Sequence, residues 1–316
     1  MNKREVKLIL APMAGVGDSA FRTMCKRWGA DEVVSEMISA KAVVFRDRKT
    51  FDLAKRTAEE TPFRIQLFGS EPDIMAEATS ILAESFSPDG FDINMGCPVG
   101  KIVKNGEGSA LMRDAHLVEK ITRHVVDAAG KTPVSVKIRS GFSREHCNAV
   151  EVALAAESGG ADRIAVHGRT RDQLYAPPVN LDIIADVVRA VKVDVIGNGD
   201  VVSGESAVEM LEKTGCRHLM IGRAAMGRPW IFTEIKNALS GNETPFEVPA
   251  GKRLFDVIEE HIRLAILDKG ERRAIPEARP QISAYIKGIR GAAAVREKIN
   301  HAESFDEIRE ILKTIL

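Results

Sequence analysis

The chain alternates between short apolar runs and longer stretches in which apolar residues recur every three or four positions. Eight runs read as strands, at 7–11, 32–35, 63–67, 91–94, 134–138, 163–167, 194–197 and 218–221, each bounded by a polar or Gly-containing loop. Each run is followed by a segment of helical period. Between 73 and 84, Ile74, Ala78, Ile81 and Leu82 share one face, and 205–213 has the same character. Strands that are apolar on both faces and separated by helices are expected to pair in parallel through right-handed crossovers. Eight such units within about 240 residues predict an α/β fold of the (β/α)8 TIM-barrel type. A doubly wound sheet is the competing architecture, but no intact GxGxxG follows the first strand.

The pattern changes near residue 240. Polar, turn-forming residues and two prolines, Pro245 and Pro249, mark a linker at 241–250. No strand signal follows it. Leu254, Val257, Ile258 and Ile262 recur at helical spacing, as do Ile282, Tyr285 and Ile286, and then Ile308, Ile311 and Leu312. The expected organisation is a catalytic barrel over 1–240, the linker, and a small C-terminal helical bundle over 251–316.

Composition narrows the function classes. Apolar residues at 44% and charged residues at 28% are globular values and exclude a disordered chain. Lys plus Arg and Asp plus Glu number 45 each, so the net charge is zero. That balance argues against a uniformly basic nucleic-acid binder, although a partner feels only the patch it touches. No apolar run approaches the ~20 residues of a membrane-spanning helix. The first apolar run stops at Pro12 without a signal-peptide core, so a cytoplasmic protein with no membrane partner is expected. Asn242-Glu243-Thr244 fits the glycosylation sequon and, with no secretory route expected, is read as chance. Cys25, Cys97, Cys147 and Cys216 are scattered with no CxxC pair, which predicts reduced thiols and no metal site. Cys25, Cys147 and Cys216 read as small buried hydrophobes.

In such a barrel the chemistry sits in the loops at the C-terminal ends of the strands. Ala11-Pro12-Met13-Ala14-Gly15 there is a tight turn of small residues, through which backbone can approach a flat ligand. Gln66 offers a donor and an acceptor, the complement of an imide edge. Lys137 lies on a strand otherwise built from Val134, Val136 and Ile138, so its ammonium points to the barrel mouth or, alternatively, to the surface. His167 is a strand-end ligand group or a satisfied core histidine. Gly199 and Gly222, with a short helix near Arg223, suit a phosphate cradle or serve only to turn the chain. Asn198 and Asp200 are rim groups, turn formers or caps. Cys97 follows Gly96 and precedes Pro98 in a long loop. No nearby base is available to form a thiolate, so a general acid or a positioning role is as good a reading as a nucleophile. Gly96-Cys97-Pro98-Val99-Gly100-Lys101 is too short for a P-loop and has Ile102 where Ser or Thr is needed.

Leu10-Ala11-Pro12-Met13-Ala14-Gly15, Ser35-Glu36-Met37, Asn94-Met95-Gly96-Cys97-Pro98, Val136-Lys137-Ile138-Arg139, His167-Gly168-Arg169-Thr170 and the stretch from Ile221-Gly222-Arg223 to Pro229-Trp230 closely resemble the dihydrouridine synthases. The resemblance runs in order along nearly the whole chain. It looks closest to a bacterial branch with Tyr285-Ile286-Lys287-Gly288 and 292–296 in the tail. It implies flavin-dependent reduction of uridine to dihydrouridine in RNA, most often tRNA, with FMN as cofactor and NADPH as reductant. The family's FMN contacts carry over onto Pro12, Met13, Ala14, Gln66, Lys137, His167, Asn198, Gly199, Asp200, Gly222 and Arg223, and its catalytic acid onto Cys97. Asn94 and Arg139 are then expected to position base or flavin, and Tyr175 to contact the uracil. The tail cations Lys287, Arg290 and Arg296 are expected to hold RNA phosphates, together with Arg272, Arg273, Arg279 and Lys298. A monomer is expected. After Tyr175 the family continues with Gly and an acidic–Trp pair, whereas Ala176-Pro177-Pro178 stands here, a departure that bears on which uridine is presented. The alternative is an FMN barrel acting on a free pyrimidine or a dihydroorotate-like substrate, which would have no use for a basic helical tail.

Overall fold

The computed structural model describes residues 5–241 and 246–316. Part of the expected linker, 242–245 with the sequon-like triplet, lies outside the described residues. Eight strands, β1 (Leu8–Leu10), β2 (Glu32–Ser39), β3 (Phe63–Phe68), β4 (Gly90–Met95), β5 (Val134–Gly141), β6 (Arg163–Thr170), β7 (Asp194–Asn198) and β8 (His218–Ile221), pair in parallel and close with β8 against β1. The helices around them are α1 (Ser19–Arg27), α2 (Ala40–Val44), α3 (Arg48–Asp52), α4 (Pro72–Phe86), α5 (Gly100–Lys104), α6 (Ala115–Ala129), α7 (Ala149–Ser158), α8 (Leu181–Ala190), α9 (Gly204–Thr214) and α10 (Ile231–Ser240). This is the expected (β/α)8 barrel.

The strands alternate physically even where the sequence looks uniformly apolar. On β5, Val134, Val136 and Ile138 enter the apolar layer under the helices, whereas Ser135 bonds Asp92 and Lys137 and Arg139 line the barrel mouth. The apolar filling of the barrel itself is small: Ile9, Ala11, Val34, Ala165, Ile196 and Met220. Polar groups take the remaining interior positions. Arg163 pairs with Glu32, and Arg64 with Asp162 at 2.8 Å, away from the mouth.

Strands β2, β5 and β6 run past their apolar stretches to Ser39, Gly141 and Thr170. Backbone pairing continues there even where polar side chains follow one another, as with Arg139 and Ser140 on β5 and Arg169 and Thr170 on β6. A second difference concerns Cys147, expected to be buried but exposed, because its loop beyond β5 folds outward with Sγ near the Ser143 and Arg144 carbonyls.

The C-terminal helices are α11 (Gly251–Lys269), α12 (Glu271–Tyr285), α13 (Ala292–His301) and α14 (Phe305–Leu312). They share an apolar core with Met24 of α1 and with Trp28 and Trp230, so they are packed onto the barrel. α12 continues through Pro276 and Pro280. Both prolines are solvent-accessible and four residues apart, so the missing hydrogen bonds fall on the side where water reaches the freed carbonyls.

Candidate active site at the barrel mouth

Strand register brings the polar rim together. Asn94 pairs with Lys137, Arg139 with His167, and His167 with Asn198, so these side chains project from neighbouring strands on the same face. They line a cavity of about 700 Å³ at the C-terminal end of the barrel. Pro12, Met13, Ala14, Gln66, Cys97, Gly199, Asp200, Gly222, Arg223 and Tyr175 line it as well. Lys287, Arg290 and Arg296 do not; they belong to the C-terminal helical region, where none makes an ion pair among the described residues. Two of the other tail cations have partners within the chain, Arg273 in an exposed pair on α12. Arg279 donates to the Ala302 carbonyl at 2.7 Å, and Arg273 to Glu277 at 2.8 Å.

Asn94 sets the position of Cys97. Its Oδ1 accepts from the Gly96 and Cys97 amides at 3.2 and 2.9 Å, a side-chain turn that fixes the loop. Its Nδ2 donates to Gln66 Oε1 at 2.9 Å, and Gln66 Nε2 donates to Asp92 at 2.6 Å. Gln66 therefore keeps one hydrogen and one lone pair for a ligand. Arg139 ties the same loop from the other side. Its Nε donates to the Gly96 carbonyl at 2.8 Å, and its Nη1 to the Thr170 and Leu174 carbonyls at 2.9 Å each. Burial lowers this guanidinium to about 10, still charged at neutral pH. Burial also raises the Cys97 thiol, outweighing the Val99 amide and the charges of Arg139 and Lys137, so Cys97 holds its proton.

Lys137 is the cation of the cavity floor. Its Nζ donates to Asn198 Oδ1 at 3.1 Å, and among the described residues no carboxylate reaches it within ion-pair distance. Burial pushes it down to about 8, Arg139 adds repulsion, and Asp92 opposes both. His167 is held neutral, far below its usual range, by burial and by Lys137, Arg139, Arg169 and Arg223. Arg169 Nη1 lies 3.3 Å from His167 Nε2. A guanidinium only donates, so Nε2 accepts and the imidazole proton sits on Nδ1.

The loops after β7 and β8 meet the floor closely. A Cβ on Gly199 would stand 2.9 Å from His167 Cδ2, and φ there is +118°, so only glycine fits. Gly222 leads into a single helical turn, Arg223–Ala225, whose Arg223 and Ala224 amides have no acceptor among the described residues. Asp200 pairs with Arg169 and, at 3.3 Å, with Arg223, whose guanidinium lies 4.6 Å from the Tyr175 ring centre. Tyr175 itself is half exposed at the entrance. Arg169 Nε and Gln173 Nε2 both donate to the Ala176 carbonyl, at 2.8 and 2.9 Å, so the Pro-containing segment is fastened to the rim.

Sequence reasoning gave no role to Arg169, although it stood beside His167. It is 1% exposed and joins His167, Asp200 and Ala176, three segments whose meeting is invisible in linear sequence. Glu36, whose carboxylate accepts from the Gly15 amide and holds the turn after β1, was also missed as a support.

The site suits a flat, polar-edged molecule ending in an anion. A buried ammonium bonded only to a neutral amide, unpaired amides at the Arg223 turn and the forced glycine at 199 each fit one part of FMN. Among the described residues no group of three His, Cys, Asp or Glu side chains has metal-site geometry, and no helix is long and apolar enough to cross a membrane.

Comparison with known proteins bears on the same site. A family model described as dihydrouridine synthase (Dus) matches residues 9–316. The chain is 40% identical over 302 residues to tRNA-dihydrouridine synthase B of Pseudomonas aeruginosa, covering 95% of this chain and 90% of that protein. It is 38% identical over 315 residues to a probable tRNA-dihydrouridine synthase of Treponema pallidum, with 97% and 92% covered. Among solved structures, histamine dehydrogenase from Rhizobium sp. 4-9 superposes with a TM-score of 0.56 at 11% identity, covering 82% of this chain and 49% of that one; this is a likeness of fold.

Proposed function

This chain belongs to the dihydrouridine synthase family, and we propose that it reduces uridine in tRNA to 5,6-dihydrouridine, with FMN in the barrel mouth and NADPH as reductant. Residues 1–240 are read as the catalytic barrel and 251–316 as an RNA-facing unit, in a cytoplasmic monomer. The observation that carries the reading is the Cys97 loop, tied by Asn94 and Arg139 at the edge of a cavity floored by Lys137, which has no carboxylate at ion-pair distance among the described residues.

The chemistry a flavin supplies when bound is hydride donation to C6 of uracil. Charge then develops across C5 and O4, and C5 needs a proton. Cys97 holds one because burial favours the thiol, and no neighbouring base removes it. Asn94 and Arg139 keep the thiol in one place, which is the larger part of a proton donor's efficiency. Lys137 and His167, both lining the cavity, would hold the cofactor, with the Lys137 ammonium supplying a cationic donor to an electron-rich edge. Tyr175, beside Arg223 and His167, flanks the entrance where the uracil arrives.

In the Cys97→Ala holoenzyme, NADPH still bleaches the flavin, whereas dihydrouridine formation in tRNA falls by about 10²–10⁴-fold, the usual loss for a general acid. Mass spectrometry of the product tRNA reads the second step and stopped-flow absorbance the first. Undiminished dihydrouridine would remove Cys97 from the mechanism, and a protein that never takes up FMN would remove the flavin reading.

A further inference from the structure

We propose, resting on the function reading above, that Arg169 is a positioning residue of the flavin site: it fixes which nitrogen of His167 carries the proton and holds the turn after β7 against that ring. His167 and Arg169 stand two apart on β6, so both project from the same side of the strand. Gly168 between them faces the start of α8, where a Cβ would stand 2.5 Å from the Asn180 carbonyl oxygen. His167 lines the cavity and Arg169 does not; at 1% exposure, Arg169 reaches the cavity only through its neighbours.

Three groups divide the guanidinium. Its Nε donates to the Ala176 carbonyl at 2.8 Å, its Nη1 to His167 Nε2 at 3.3 Å, and its Nη2 to the Asp200 carboxylate. Burying a charge against one partly exposed carboxylate is costly, and well-packed apolar side chains often serve stability as well as a buried ion pair does. Orientation accounts for the arrangement better. A guanidinium has no lone pair to offer, so this contact commits the lone pair of Nε2 and leaves the imidazole proton on Nδ1. While Nε2 is so held, the ring can donate one hydrogen bond and cannot take up a proton. His167 then stays out of the proton transfer assigned to Cys97.

The turn after β7 leans on the same residue. Gly199 and Asp200 are both left-handed, at φ +118° and +51°, and the second is unfavourable for a residue with a Cβ. Arg169 and, at 3.3 Å, Arg223 hold the Asp200 carboxylate in that turn. Gly199 in turn packs on the ring, where a Cβ would stand 3.3 Å from His167 Nε2. One fork thus meets the histidine twice, directly and through the turn. A lysine has no planar fork with which to serve three acceptors in different directions.

The test is the tautomer of His167 in the FMN-loaded protein, read by NMR from long-range nitrogen–proton couplings of the imidazole at neutral pH, with His167→Gln identifying its signals. The wild-type ring should be protonated on Nδ1 with Nε2 accepting. Arg169→Lys keeps a buried charge for Asp200, so it should stay folded and retain flavin, yet both tautomers should become populated. Lys137, Arg139 and Arg223 disfavour the charged ring in either protein, so the tautomer rather than the charge changes. Dihydrouridine formation by this variant should fall by on the order of tenfold to a hundredfold, the usual loss when the partner that orients a histidine is removed. A wild-type ring protonated on Nε2 would overturn the proposal without recourse to any variant. So would wild-type ring signals in Arg169→Lys, whatever its activity, since lost activity alone fits a merely structural tie. The spectra need neither NADPH nor tRNA, so a wild-type enzyme that forms no dihydrouridine would strike the function reading and leave the tautomer result standing.

Discussion

The family resemblance makes Asn94 and Arg139 residues that position the base or the flavin. The structure gives most of their hydrogen-bonding capacity to backbone: Asn94 to two amides beside Cys97, Arg139 to three carbonyls from two loops. Which rim residues exist was legible from strand ends and from the family resemblance. What each one holds was not, because the partners of Arg139 come from loops about 30 or more residues away and meet only once the barrel closes. Lys137 shows the same limit: the alternating strand pattern pointed it inward, but that no carboxylate among the described residues comes within ion-pair distance needed coordinates. With its ammonium depressed to about 8, it is charged at neutral pH and loses that charge as the pH rises through this value. A ligand with an electron-rich edge favours the charged form, so affinity of the apoprotein for FMN should weaken by about threefold to tenfold between about pH 7 and about pH 9. Lys137→Met should bind FMN more weakly at neutral pH and show a flat profile over the same range. Quenching of flavin fluorescence on titration measures both, and a wild-type profile as flat as the variant's would refute the assignment.

At the scale of elements, α12 is where the sequence was least informative. Its two internal prolines each remove a backbone donor, yet the helix persists and packs against two cavity-lining loops. Gln281 Nε2 donates to the Val16 carbonyl at 3.3 Å, in the loop after β1. Gly227, in the loop after β8, lies so close that a Cβ would stand 2.4 Å from the backbone of Ala284 and Tyr285, at φ +64°. Lys269 at the end of α11 adds a largely buried tie to Asp18, the N-cap of α1, at 2.6 Å. The strands, by contrast, were legible because the face under the helices is apolar at every second position, as with Val134, Val136 and Ile138 on β5. Helix-to-loop docking leaves no such periodic signature; it shows in sequence only as a glycine. Gly227→Ala should therefore cost about 2–4 kcal/mol, through overpacking and a left-handed conformation unsuited to alanine. Its effect should extend beyond stability to flavin retention, since Met226 beside it lines the cavity. Thermal unfolding together with FMN content after gel filtration would check this. A variant of normal stability and full flavin content would show that α12 does not brace the loop.

Across the whole molecule, 45 basic and 45 acidic residues cancel, but the cancellation is uneven in space. Many of the charges are paired: Arg22 with Glu60 at 2.5 Å, Arg64 with Asp162, and exposed pairs along the helices. Among the described residues Lys287, Arg290 and Arg296 on the tail make no ion pair, and on the proposed function they are candidates for RNA phosphates. Deleting the tail is a poor way to ask whether it binds RNA. Residues 251–316 cover Met24, Trp28 and Trp230 and support the loop after β8, so truncation would expose apolar surface and disturb the flavin site together. Replacing Lys287, Arg290 and Arg296 with alanine removes charge and leaves the shared core in place. That triple variant should keep normal flavin content and bind tRNA more weakly at low salt. Its salt slope should be shallower by about two to three, because each phosphate that is no longer neutralised removes roughly 0.7–0.9 from it. Filter binding from about 50 to about 200 mM salt covers the range in which such a difference is large. If affinity and slope both stay at wild-type values, the tail contributes packing alone, and cations on the barrel must account for the electrostatic part of RNA binding.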